Sequence, residues 1–77
     1  MMKLIHPNYQ SFVKEVRQQL SISQEDLARE LGVSYATVNR WENGQAKPSK
    51  LAIAQLDTFC EKMQAAGMLD LPESSRD

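Results

Sequence analysis

The sequence predicts an all-α fold, and three observations support this expectation. Apolar residues recur at helical spacing in four segments of the 77-residue chain. Asparagine, serine and glycine residues stand at the ends of those segments, where helix caps are expected. No segment alternates apolar and polar residues in the way that a half-buried strand does. We therefore expect one domain over residues 1–77, with four helices or five.

The two outer helices are predicted from their apolar stripes. Helix 1 is expected over about residues 8–20, with Asn8 as its N-cap. A longer helix 4 is expected over about residues 49–66, because no breaker interrupts its helical spacing until Gly67. Residues 67–77 are expected to form a loosely ordered C-terminal tail.

The two middle helices are short and nearly adjacent in sequence. Helix 2 is expected over about residues 24–31 and helix 3 over about residues 35–43, preceded by the N-caps Ser23 and Ser34. Gly32 ends helix 2, because glycine readily adopts the left-handed conformation of a helix C-cap. Two helices joined by so short a turn cannot lie antiparallel. They must cross steeply, as they do in a helix-turn-helix unit.

The composition excludes several classes of function. Cys60 is the single cysteine and His6 the single histidine, which excludes an internal disulfide and a four-ligand zinc site. No nucleophile–base pair or carboxylate pair suggests an enzyme. No apolar run approaches the roughly 18 residues of a membrane span, and the N-terminus lacks a signal-peptide core. We therefore expect a cytoplasmic, non-enzymatic protein with no metal, cofactor, small-molecule ligand or membrane partner.

The charge is distributed unevenly along the chain. The formal net charge is −1, which by itself argues against a nucleic-acid partner. Residues 1–56 carry seven Lys and Arg against five Asp and Glu, a balance of +2. Residues 57–77 carry two against five, a balance of −3. The basic excess therefore lies in the part that contains the two short helices, although it is too small to decide the function alone.

Residues in and around the short helices also match a known pattern. They are Gln24, Ala28, Gly32, Val38 and Trp41, followed by Glu42-Asn43-Gly44 and by Lys47-Pro48. In this register the sequence over about residues 9–56 resembles the phage repressor/Cro-type (XRE-like) helix-turn-helix family. The resemblance implies a lambda-repressor-like fold with its helix-turn-helix unit at residues 24–43, and double-stranded DNA as the partner. It also implies a largely buried ion pair between Arg17 and Glu42.

Helical geometry divides helix 3 into an inward face, which includes Val38 and Trp41, and an outward face that is available to DNA. The candidate base contacts are Tyr35, Ala36, Thr37, Asn39 and Arg40. Arg40 is the leading candidate because arginine pairs bidentately with guanine, and an asparagine at position 39 suits adenine. The alternatives stay open: an arginine on the surface or on a phosphate, a half-buried tyrosine ring, and small residues that only fill the helix.

Candidate phosphate contacts surround helix 3. By resemblance, the side chain and amide of Gln24 bind a phosphate at the N-terminus of helix 2, and ordinary helix-start polarity is the alternative. Ser34 combines the roles of cap and phosphate donor. Asn43, Lys47 and Lys50 follow helix 3 and are expected to straddle the DNA backbone, where contacts position a protein without reading sequence.

Helix 4 and the tail carry more apolar residues than a small core should need. Such a patch usually marks an interface, and a two-fold dimer would read two half-sites about one helical turn apart. The candidate homodimer residues are Leu56, Phe59, Cys60, Met63, Met68 and Leu69, with Leu71 close behind. The alternative is that the tail folds back over its own helix.

These expectations favour sequence-specific binding to double-stranded DNA by a small bacterial or phage transcriptional regulator. In this interpretation residues 35–43 read the major groove. The alternative is a protein-interaction module, or an antitoxin-type partner-binding protein, that uses the same fold. The near-neutral charge and the acidic tail permit that alternative, and the outward Arg40, Asn43 and Lys47 argue against it.

Overall fold

Four α-helices and no strand make up residues 8–70, the part of the chain that the computed structural model describes. The helices are α1 Tyr9–Leu20, α2 Gln24–Leu31, α3 Tyr35–Glu42 and α4 Lys50–Ala65. The predicted all-α fold is confirmed. The predicted helix ends agree within one residue, because the residues that differ, such as Asn8 and Ser49, are helix caps. The prediction for Leu71 falls outside the described residues.

Serine side chains begin the last three helices. The hydroxyl of Ser23 accepts a hydrogen bond from the backbone N–H of Asp26 at 3.0 Å, and the Asp26 carboxylate accepts one from the Ser23 N–H at 3.1 Å. This capping box holds the pKa of Asp26 below its ordinary value, chiefly through the Ser23 backbone and then its hydroxyl. Ser34 and Ser49 cap α3 and α4 in the same way, but without the reciprocal carboxylate.

Left-handed residues end the first two helices. Gly32 has φ 74° at the C-cap of α2, and only Val33 then separates it from Ser34, the N-cap of α3. This arrangement makes the tight corner between the two short helices. Ser21 has φ 55° at the C-cap of α1, a conformation that costs an L-residue about 1 kcal/mol. The sequence predicted a break at Ser21 but not this backbone geometry.

The core draws side chains from every helix. Its buried members are Phe12, Val13, Val16, Leu27, Ala28, Leu31, Val38, Trp41, Ala52, Leu56, Phe59, Cys60 and Leu69. In this arrangement α3 packs against α1 and α2, and α2 also packs against α4. Burial of Val38 and Trp41 fixes the rotation of α3 about its axis, and with it the face that α3 turns to solvent.

The first residues of the tail are docked, which corrects the expectation of a loosely ordered segment from residue 67 onward. Leu69 is only 6% exposed. The side-chain N–H of Gln19 donates to the Asp70 carbonyl at 2.9 Å, and the Asp70 backbone N–H donates to the Gln19 side-chain oxygen at 2.8 Å. These two bonds tie the chain after α4 to α1. Residues 71–77 of the predicted tail lie outside the described part.

Candidate nucleic-acid interface

The outward face of α3 is polar and open to solvent. Tyr35 is 54% exposed, and Ala36 and Arg40 are also exposed. Val38 and Trp41, on the opposite face, are buried in the core. Three of the five candidate base contacts therefore lie on one accessible surface, near the start and middle of a helix that the core holds rigidly.

Thr37 is less available than its neighbours. It is half-buried, its hydroxyl lies 2.8 Å from the Ser34 hydroxyl, and its backbone N–H donates to the same Ser34 oxygen at 3.1 Å. The first turn of α3 is thus fixed by its own cap. A base contact from Thr37 stays a prediction, as does the additional role of Ser34 as a phosphate donor.

Arg17 and Glu42 lie in direct contact, as the resemblance implied. Arg17 Nε donates to Glu42 Oε2 at 2.7 Å, and Arg17 Nη2 donates to Glu42 Oε1 at 3.0 Å. Arg17 Nη1 also donates to the Ile22 carbonyl at 3.2 Å. The fork–fork geometry is the strongest form of an arginine–carboxylate pair. It joins α1 to the C-terminal end of α3 and leaves the guanidinium with partners on all three nitrogens.

The pair sets the ionisation of Glu42. Burial alone would raise the pKa of this carboxyl, since a charge is poorly solvated inside a protein. Hydrogen bonds from Arg17 and Gln24, together with the positive charge of Arg17, outweigh burial and hold the pKa of Glu42 below its ordinary value. The Glu42 hydrogen bond in turn raises the pKa of Arg17. Glu42 is therefore a carboxylate at neutral pH despite its burial.

The side chain of Gln24 was expected to contact a phosphate, but it is not free to do so. Its Nε2 donates to Glu42 Oε1 at 3.1 Å, and its Oε1 accepts from Asn39 Nδ2 at 3.1 Å. Both ends of the amide are thus bonded to residues of α3. A phosphate contact from the Gln24 backbone amide, at the start of α2, stays a prediction.

Asn39 and Asn43 extend this arrangement along α3. Asn43 Nδ2 donates to Asn39 Oδ1 at 3.0 Å, and Asn43 is exposed. A continuous series of hydrogen-bonded side chains therefore runs from Arg17 through Glu42, Gln24 and Asn39 to Asn43. The four-residue spacing of the two asparagines could have indicated their contact. The link from Asn39 to Gln24 joins two helices, and nothing local in the sequence indicated it.

Basic side chains lie beyond the end of α3. Lys47 is exposed in the segment between α3 and α4, and Lys50 is exposed at the first residue of α4. Neither lysine forms a salt bridge with another residue in the described range 8–70. Both are therefore free to meet an anion, together with the exposed Asn43.

Comparison with known proteins decides the family. The family model described as helix-turn-helix matches residues 13–61, which is more than half of the chain and contains α2, α3 and the turn between them. The chain belongs to the helix-turn-helix family. It is thus a DNA-binding helix-turn-helix domain.

A segment of this helix-turn-helix chain is also similar to part of a much longer protein. It is 40% identical over 52 residues to the type II methyltransferase M1.ScrFI of Lactococcus lactis subsp. cremoris. The similarity covers 64% of this chain but only 13% of the methyltransferase. No solved structure matches the chain.

Most of the predicted dimer residues are not surface residues in this helix-turn-helix protein, which corrects that expectation. Leu56, Phe59, Cys60 and Leu69 are buried in the core of the same chain. Leu69, from the docked start of the tail, lies in the same core as the three α4 residues, in line with the alternative interpretation. Met63 is half-buried, and Met68, at 57% exposed, is the single member of the predicted set that is widely accessible.

A groove of about 320 Å³ lies beside these two methionines. Its apolar wall consists of Leu20, Ile22, Phe59, Met63 and Met68, and its charged rim consists of Asp26, Arg29, Glu30 and Lys62. None of these residues belongs to α3. The groove and the exposed face of α3 are therefore separate surfaces.

The Cys60 thiol is expected to be unreactive in the folded protein. It is fully buried, and burial, followed by the negative charge of Asp57, raises its pKa to about 12. A thiol with so high a pKa forms very little thiolate at neutral pH. Among residues 8–70, no cluster of three or more His, Cys, Asp or Glu side chains could hold a metal ion, and no helix is long and apolar enough to cross a membrane.

Proposed function

We propose that this protein is a small bacterial or phage transcriptional regulator that binds double-stranded DNA sequence-specifically, with α3 in the major groove. The observation that supports this most strongly is the division of α3 into two faces. Val38 and Trp41 anchor one face in the core, while Tyr35, Ala36 and Arg40 project from the other. A rigid helix with an exposed polar face suits the width of the major groove.

Arg40 is the residue that we assign to base reading. Its side chain is exposed and forms no hydrogen bond or ion pair with any residue in the described range, so its five N–H donors are available. Arginine pairs bidentately with O6 and N7 of guanine, which is the commonest specific contact in protein–DNA complexes. Tyr35 and Ala36, one turn earlier, would touch the neighbouring bases or thymine methyl groups.

We propose contacts to the DNA phosphate backbone because hydrogen-bond donors lie near both ends of α3. The first turn of α2, beginning at Gln24, presents backbone N–H groups, and Ser34 lies at the start of α3. Asn43, Lys47 and Lys50 lie beyond the end of α3 and are exposed. Donors on both sides of a groove-binding helix would hold it in register on the two DNA backbones.

The protein is proposed to act as a two-fold dimer, because a single recognition helix reads only a few base pairs. The groove beside Met63 and Met68 is the surface we favour, since it combines apolar walls with charges of both signs on its rim. A second copy related by two-fold symmetry would place the exposed Met68 of each chain against the groove of the other. This surface leaves α3 free for DNA.

The dimer is tested by sedimentation at increasing protein concentration. Met68→Glu should weaken self-association, because it places a charge in the apolar contact. Leu51→Glu is the matched control, since Leu51 is also an exposed apolar residue, at the start of α4 and outside the groove. Loss of the dimer in Leu51→Glu but not in Met68→Glu would show that the wrong surface has been chosen.

The DNA-binding role is tested by selecting double-stranded sequences from a random pool at a stated salt concentration. The expected result is one enriched motif made of two related half-sites. A pool that remains random after repeated rounds would contradict the proposal and favour a partner-binding role. A DNA regulator of this kind would work in the cytoplasm. We propose no methyl transfer, because the similarity to the methyltransferase covers so little of it.

A further inference from the structure

We propose that Asn39 is a positioning residue and does not read a base. It joins Gln24 and Asn43, two residues proposed to donate hydrogen bonds to the DNA phosphates. This inference rests on the proposed DNA-binding function. It separates Asn39 from Arg40, its neighbour in sequence, although the outward face of helix 3 makes both of them candidate base contacts.

The contacts of Asn39 differ from those of the exposed residues on α3. Asn39 is half-buried, whereas Tyr35, Ala36 and Arg40 are exposed. Its Nδ2 donates to Gln24 Oε1 at 3.1 Å, and its Oδ1 accepts from Asn43 Nδ2 at 3.0 Å. The side chain therefore bridges the first residue of α2 and the C-cap of α3.

This bridge competes with base reading. An asparagine that reads adenine uses its oxygen and one N–H together, against N6 and N7 of the same base. Here the oxygen and the nitrogen of Asn39 are both already bonded to protein side chains. Turning the amide toward a base would disturb both bonds and release Gln24 and Asn43 at once.

The other end of the bridge is fixed by a buried group. Gln24 Nε2 donates to Glu42 Oε1, and that carboxylate is held by the two hydrogen bonds from Arg17. The position of Asn39 is thus set from the core outward. Asn43 is the last residue in this series of hydrogen bonds. One of its side-chain N–H groups donates to Asn39, so the second N–H group points in a defined direction.

The expected role follows from these contacts. Without Asn39, the exposed Asn43 loses a partner for its side chain. Gln24 loses the hydrogen bond that its side-chain oxygen accepts, which steadies the start of α2. Both changes would weaken contacts to the phosphate backbone, which carries no sequence information. Loss of Asn39 should therefore reduce affinity for every DNA sequence alike.

The test compares Asn39→Ala with Arg40→Ala in selection from a random DNA pool, followed by affinity measurements at several salt concentrations. For Asn39→Ala we expect the wild-type motif to be retained. Its affinity for preferred and for unrelated DNA should fall by the same factor, on the order of tenfold, and its salt dependence should stay unchanged, because the groups that lose their phosphate contacts carry no charge. Arg40→Ala should instead lose preference at one base position of each half-site.

A second measurement separates positioning from a general loss of structure. Asn43→Ala and the double variant Asn39→Ala/Asn43→Ala are compared with Asn39→Ala, using proteins whose helix content matches the wild type. If Asn39 acts through Asn43, the DNA affinity of the double variant should be only slightly lower than that of the single variant with the lower affinity. Fully additive losses would contradict the proposal.

Two outcomes distinguish the inference from the function on which it rests. If wild-type protein enriches a motif and Asn39→Ala loses preference at a single base, the positioning role is wrong and DNA binding stands. If wild-type protein enriches no motif, the proposed function fails, and the inference fails with it.

Discussion

Arg17 of α1 and Glu42 of α3 form a fork-shaped ion pair, with Nε 2.7 Å from Oε2 and Nη2 3.0 Å from Oε1. Glu42 is 1% exposed, while the Arg17 side chain keeps 23% of its surface in contact with water. The pair ties the C-terminal end of α3 to α1, a helix that has no predicted DNA contact. The orientation of α3 therefore depends on a polar contact as well as on the burial of Val38 and Trp41.

Removing one member of this pair should be costly. We expect Arg17→Met to destabilise the protein by about 3–5 kcal/mol, because it leaves an almost completely buried carboxylate without a positive partner. Glu42→Leu should cost less, since Arg17 can still reach water. The double variant should cost clearly less than the sum of the two. Urea unfolding of all four proteins gives the coupling energy, and an additive cycle would rule out a direct energetic link.

The same pair predicts how stability depends on pH. The pKa of Glu42 is lowered on folding, so its contribution is fully present above the ordinary carboxyl value of 4.5 and is lost as the pH falls through the lower folded value. The free energy of unfolding of wild type minus that of Glu42→Gln should therefore be constant near neutrality and shrink in acid. The lowered pKa of Asp26 and the raised pKa of Asp57 affect both proteins alike and cancel.

Unfolding measurements of wild type and Glu42→Gln at a series of pH values check this difference. A gap between the two proteins that widens as the pH falls toward the ordinary value, and is constant below it, would mean that the pKa of Glu42 is raised, and that burial outweighs the hydrogen bonds from Arg17 and Gln24.

The exposed lysine after α3 should act through the phosphate backbone. Lys47→Ala is expected to weaken binding to preferred and unrelated DNA by similar factors and to flatten the log–log salt dependence by about one unit. Lys14→Ala is the matched control, because Lys14 is an exposed lysine on α1, a helix with no predicted DNA contact. Equal flattening in both variants would assign the effect to net charge and not to a contact at position 47.

Cys60 provides a direct check on the corrected core assignment. Its thiol is fully buried and its pKa is raised to about 12, so it should react with a thiol reagent far more slowly than the same thiol in the unfolded chain. The labelling rate, followed with and without urea, should rise steeply through the unfolding transition. Rapid labelling in the absence of denaturant would mean that Cys60 lies on an accessible surface after all.

Local chemistry explains what could be predicted from the sequence. A serine before each of the three later helices and Gly32 after α2 are signals that operate within four residues, and the structure has helix ends at those places. The inward face of α3 also followed from periodicity, because Val38 and Trp41 stand three residues apart.

Contacts between distant segments explain what could not be predicted. Apolar periodicity showed that Phe59 and Cys60 would be covered, but it could not show that their own chain covers them. The bonds between Gln19 and Asp70 join residues 51 positions apart, and no local pattern indicates such a contact. The inward turn of Gln24 likewise depends on where the packing of α3 places Glu42 and Asn39.

The central claim is that the outward face of α3 reads DNA sequence, and one measurement tests it most directly. Wild type and Arg40→Ala are each used to select double-stranded DNA from the same random pool at the same salt concentration. We predict that wild type enriches a two-half-site motif containing a guanine, and that Arg40→Ala enriches the same motif with the preference for that guanine lost. Recovery of an identical motif with an undiminished guanine preference would contradict the assignment of Arg40 to base reading and the account of α3 that depends on it.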